Sequence, residues 1–184
     1  MKCMTWKGII ACVFVLINIC SFSACTEESV SSQQTSLQKS IAPFLTALEA
    51  EDLDGMILKI YAIDSSCLTG PHSVKELIEN ANKKVDYCYE VSIDNATLRE
   101  NIATLEQIRA ENFEVADGLN RVDARTCFVF ETEEKLLEIT VGGMSKESYM
   151  FEGVETYLTV FINGIELKIN TPLGQLLRFL YSLT

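Results

Sequence analysis

Histidine, tryptophan and proline are almost missing from this chain of 184 residues, which has one His, one Trp and three Pro. Each scarcity excludes something. A lone His72 cannot build the histidine-rich sets that hold catalytic zinc, and Cys67-x4-His72 supplies half a site at best. The single tryptophan, Trp6, stands in the first 25 residues. The rest of the chain therefore has no indole for a sugar-stacking platform or an interface anchor. With Pro43, Pro71 and Pro172 alone, and no recurring Ser- or Gly-rich run, no second linker and no internal repeat is visible. Basic residues are also few, 15 against 26 acids. Such a surface is repelled by phosphate backbones, so nucleic acid is excluded as a partner.

What is present begins with an export signal. Lys2 and Lys7 precede Gly8 to Ile19, a run interrupted by one polar residue, Asn18, and Ser21-Phe22-Ser23-Ala24 supplies small residues at a peptidase site. The apolar run is short for a spanning helix, although Cys20 to Ala24 could extend it into a retained anchor. Residues 1–24 are read as a signal peptide. The stretch Phe22-Ser23-Ala24-Cys25 resembles the lipobox of bacterial lipoprotein precursors, with Phe22 where Leu is usual. The resemblance covers the signal and Cys25 only. It implies cleavage before Cys25, lipid attachment to its thiol, and a place on the extracytoplasmic face of the cell membrane. Ordinary cleavage after Ser23 is the competing reading, and would leave the protein untethered.

Cys25 and the polar stretch to Ser36 are read as lipid attachment site and flexible linker, with a single domain over residues 37–184. Loss of the leader removes Lys2 and Lys7 and no acid, so the exported part carries a formal charge of −13. That charge favours solubility and disfavours adhesion to anionic lipid, so the membrane is a partner through the anchor alone. Of seven cysteines, Cys67, Cys88 and Cys127 remain beyond Cys25, an odd set that allows one internal disulfide at most.

Periodicity predicts helices over Leu37–Ala50, Ser73 to about Lys84 (with a Ser73/Glu76 capping box), Asn95 to about Asn112, and from Thr171-Pro172 onward. Strands are predicted at Met56–Ile63, Val85–Ile93, Arg125–Thr132, Leu136–Val141, Glu155–Ile162 and Ile165–Ile169. Asn163-Gly164 is a hairpin turn between the last two. The expected fold is α+β: a mainly antiparallel sheet with helices packed on one face.

No catalytic residue, metal ligand or cofactor motif emerges. Cys67 with His72 as base is a conceivable nucleophilic pair, both in one loop before a helix; the alternative is a small apolar residue beside an exposed turn histidine. Val141-Gly142-Gly143-Met144 lacks the lysine of a phosphate loop and is read as a turn. Glu49, Glu51, Asp52 and Asp54 cluster at a helix end, and Glu131, Glu133 and Glu134 at a hairpin; both read as solvated acids. Tyr87 and Tyr89 are placed in the core. The one candidate recognition patch is Tyr149-Met150-Phe151, in a connection between Gly143 and Gly153. The leading expectation is a non-catalytic surface lipoprotein that binds a protein or a small ligand. The alternatives are an envelope hydrolase using carboxylates or Cys67/His72, and a structural or inhibitory partner of another surface protein.

Overall fold

The computed structural model describes residues 30–49, 53–64, 72–85, 87–116, 122–151 and 154–184, with backbone alone for residues 143–151 and 154–157. Chain order is α1 (residues 30–49), β1 (Ile57–Ile63), α2 (Val74–Asn82), β2 (Cys88–Ile93), α3 (Asn95–Glu100), α4 (Ile102–Leu105), a 3-10 turn (Ala110–Asn112), β3 (Glu114–Val115), β4 (Ala124–Glu131), β5 (Lys135–Phe151), β6 (Val154–Ile162), β7 (Ile165–Lys168) and α5 (Thr171–Tyr181). The seven strands form one antiparallel sheet in the order β2-β1-β4-β5-β6-β7-β3. The α+β reading holds.

Alternation along the strands divides the sheet into two faces. Leu58 and Ile60 of β1, Phe128 and Phe130 of β4, and Leu137 and Ile139 of β5 join one apolar cluster. Four helices cover it: α1 through Leu37, Ile41 and Phe44, α3 through Leu98, α4 through Leu105, and α5 through Leu173, Leu176, Leu177 and Leu180. Phe44 meets Phe130 with ring centroids 4.9 Å apart. Burying each such side chain contributes about 2 kcal/mol, which makes this face the principal source of stability. The remaining helix, α2, lies on the opposite face. There Leu77 and Ala81 pack on Tyr61, Ile63, Cys88, Cys127 and Val129.

Local chemistry sets the element ends. The capping box forms as predicted: Ser73 Oγ accepts from the Glu76 amide at 3.2 Å, and Glu76 Oε2 accepts from the Ser73 amide at 2.8 Å. Those Ser73 donors hold the Glu76 carboxyl below the usual carboxylate range. Asn163 and Gly164 take φ of 47° and 80°, the left-handed pair that a two-residue hairpin turn requires. Asn163 also joins two layers, because its Nδ2 donates to the Ser40 carbonyl of α1 at 2.9 Å and its Oδ1 accepts from the Glu138 amide of β5 at 2.9 Å.

Four expectations are corrected. Residues 30–36, read as linker, belong to α1, where Gln34 Nε2 donates to the carbonyls of Ala110 (3.0 Å) and Phe113 (3.4 Å). Pro43 consequently sits inside the helix and leaves residue 39 without its usual amide donor, on an exposed stretch where water can replace it. The helix predicted over 95–112 is broken at Asn101, whose Nδ2 donates to the Thr97 carbonyl at 2.9 Å while its own amide bonds Leu98. The strand predicted from Val85 starts at Cys88. Tyr89 is 42 % exposed rather than in the core, because β2 is an outer strand of the sheet.

Candidate functional site

The longest strand carries the feature that sequence reading missed. Pairing of β5 with β4 ends at Gly142↔Ala124, and pairing of β6 with β7 ends at Val160↔Leu167. The β5–β6 ladder continues beyond both, through Met144↔Leu158 to Tyr149↔Thr156, Met150↔Glu155 and Phe151↔Val154. Residues 143–151 and 154–158 therefore make a two-stranded arm, at most about 30 Å long, with no third strand among the described residues. Between Met144 and Tyr149 the register slips, and the polar run Ser145-Lys146-Glu147-Ser148 accounts for the extra residues. Such a bulge bends and twists a ribbon. Tyr149, Met150 and Phe151, predicted in a loop, are thus part of a strand. Gly142 and Gly143, predicted as a turn, are inside it.

The root of the arm is clamped. An ideal Cβ on Gly142 would stand 2.6 Å from Thr159 Oγ1 and 2.9 Å from the Asp123 carbonyl, so only glycine fits. Asp123 is itself held: its Oδ1 accepts from the His72 amide at 3.1 Å, and its Oδ2 accepts from Arg125 Nε (3.2 Å) and Nη2 (3.0 Å). The His72 carbonyl in turn accepts from the Ala124 amide at 2.8 Å. His72 therefore docks the N-terminus of α2 onto the start of β4. It is not an exposed turn residue: its Nε2 is buried with no hydrogen-bond partner among the described residues, and its ring lies 6.3 Å from that of Tyr87. Cys67 and residues 50–52 lie outside the described residues, as do the signal and Cys25. The structure thus brings His72 to Asp123 and Ala124, a docking contact made through the His72 main chain.

The thiols are placed apart. Cys88 on β2 and Cys127 on β4 flank β1, two strand spacings or about 10 Å from each other, too far for a disulfide. Cys127 is fully buried. Burial, aided by the Glu138 carboxylate, pushes its thiol from the ordinary value near 9 up to about 12, and the Thr140 hydroxyl donating at 3.8 Å offsets only part of this. Such a thiol is inert, since the thiolate is the nucleophile.

The raised value also makes a stability prediction. The unfolded thiol ionises near pH 9 while the folded one holds its proton, so the folded state's advantage is complete below about pH 9. It is lost as pH rises towards 12 and amounts to a few kcal/mol. Tyr61, raised by burial, and Lys59, raised by its 2.6 Å pair with Glu131, act with the same sign. Chemical denaturation at pH 7.5 and 10.5 is expected to show a marked loss for the wild type and a smaller one for Cys127→Ala. Equal losses in the two proteins would contradict the assignment to Cys127.

Among the described residues no group of three or more His, Cys, Asp or Glu side chains could hold a metal, and no helix is long and apolar enough to cross a membrane. No family model matches the chain, and neither a curated protein nor a solved structure is significantly similar to it.

Proposed function

We propose that this chain is an exported lipoprotein, anchored through Cys25, whose domain is a non-catalytic binding module that contacts its ligand through the β5–β6 arm. The observation that carries the reading is that the arm has no third strand among the described residues. A two-stranded ribbon by itself is marginal in water, and strands 143–151 and 154–158 leave their outer edges open among the described residues. A protein ligand that adds a strand to one edge completes the hydrogen bonding of the arm, with alternate side chains giving selectivity. The sequence there supports this use. Tyr149, Met150, Phe151 and Val154 stand in the tip half of the arm beside Glu155 and Thr156, and the polar run Ser145 to Ser148 falls in the bulge. The leader and the lipobox-like Phe22-Ser23-Ala24-Cys25 support the address.

The test is site-specific photo-crosslinking in cells. A photoreactive residue at Met150 is expected to give one discrete adduct, and the same residue at the exposed Glu106 is expected to give none. An unmodified chain at both positions would remove the arm from the account.

A further inference from the structure

We infer that the Cys25 tether is short enough to orient the domain, so that the β3 edge of the sheet faces the lipid headgroups and the β2 edge points outward. This rests on the lipid anchor proposed above and adds what the anchor does to the domain. The decisive fact is how near to Cys25 in sequence α1 is already formed and docked. Helix is already formed at Val30, and four residues later Gln34 fixes it to the carbonyls of Ala110 and Phe113, immediately before β3. Leu37, Ile41 and Phe44, all fully buried, then lock α1 onto the sheet.

Only Thr26 to Ser29 separate the lipidated residue from that helix. Whatever their conformation, the five Cα steps from Cys25 to Val30 span at most about 18 Å. The seven-stranded sheet is about 29 Å wide from β3 to β2. The tether is therefore shorter than the body it holds, and it is attached beside one edge. Charge sets the tilt. With a formal −13 on the exported part, laying the sheet flat on an anionic bilayer is repelled, so the body extends away from its point of attachment. Glu111 and Glu114 then lie on the near side, Glu114 being paired with Lys168 at 2.7 Å. On the far side stands β2 with Tyr89 exposed. The membrane would thus shield one outer strand from stray pairing while the other remains accessible.

The scarcity of tryptophan makes the test clean. Trp6 is the one tryptophan in the chain, so once the leader is removed a single introduced indole reports its own position. Mature Glu111→Trp and Ser92→Trp proteins, purified with their anchors, are reconstituted into vesicles that contain a dansyl-headgroup lipid. Energy transfer from position 111 is expected to exceed that from 92 by at least about fivefold, given the strand spacings between them. A long Gly/Ser insertion after Thr26 is expected to abolish most of the difference. If Glu111→Trp unfolds, Glu114→Trp serves as the near-side probe. Equal transfer from both sides, in protein whose intact mass shows the lipid, overturns the orientation and leaves the anchor standing. Absence of lipid mass on Cys25 overturns both.

Discussion

Replacing Cys25 by Ser is expected to move the protein from the membrane to the soluble fraction without unfolding it. The first half follows from bond chemistry. In bacterial lipoproteins, the class proposed for this chain, the diacylglyceryl group is carried on a thioether, and a serine hydroxyl is not expected to accept it. Energetically the two acyl chains are decisive: each buried methylene is worth about 0.8 kcal/mol, and stable anchoring takes two chains or an equivalent pair of signals. If residues 1–24 are removed as proposed, the remaining formal charge of −13 is repelled by anionic headgroups and would not replace them. The second half follows from the fold. The Gln34 hydrogen bonds and the burial of Leu37, which tie α1 to the rest of the fold, are all C-terminal to the proposed lipid site. Fractionation of wild type and variant, with intact masses and a thermal melt of each, checks both halves. Wild type recovered in the soluble fraction with no lipid mass would dispose of the anchor, and ordinary secretion would take its place.

How much of this was legible beforehand depends on whether the signal was local. The Ser73/Glu76 capping box, the Asn163-Gly164 turn and the leucine stripe of α5 are short-range patterns with one structural solution each, and all three appear where predicted. The start of α1 is different. Its first turns are polar, and what holds them is a side chain–main chain contact from Gln34 to residues more than seventy positions away. No window of sequence contains that partner. Likewise Leu98, Leu105 and Ile108 are buried as the stripe required, yet the helix that was to present them is broken by Asn101. Burial was readable there; backbone continuity was not.

The arm was missed for a related reason. Gly142 and Gly143 resemble a turn, and the polar run from Ser145 to Ser148 interrupts alternation, so the second half of β5 loses its strand period. Tyr149-Met150-Phe151 was singled out from composition, but its setting as a strand comes only from the pairing with Val154–Thr156. His72 shows the limit most clearly. Its place is set by Asp123, fifty-one positions on, and a lone histidine before a capping box gives no hint of that contact.

Gly142→Ala is expected to cost about 3 kcal/mol, the upper part of the usual range for overpacking, and for a domain of this size to lower Tm by roughly 10 °C. The cause is space and not backbone conformation. Gly142 has no left-handed φ, whereas Gly164, at φ +80°, has open space around it and pays only the smaller left-handed penalty when replaced by Ala. At Gly142 the new methyl would meet Thr159 Oγ1 at 2.6 Å and the Asp123 carbonyl at 2.9 Å. The threonine side yields readily and the main chain much less so, because Asp123 is tied to the His72 amide and to Arg125. Two further results follow from this asymmetry. Thr159→Ala in the same chain should restore part of the lost stability, a coupling that a double-mutant cycle measures, and the part not restored belongs to Asp123. Displacing Asp123 also loosens the hydrogen bond from the Ala124 amide to the His72 carbonyl, so exchange of that amide should accelerate in Gly142→Ala before global unfolding is reached. A Tm within about 2 °C of wild type, or full rescue by Thr159→Ala, would show that β4 and β5 can separate at the root of the arm more freely than this packing allows.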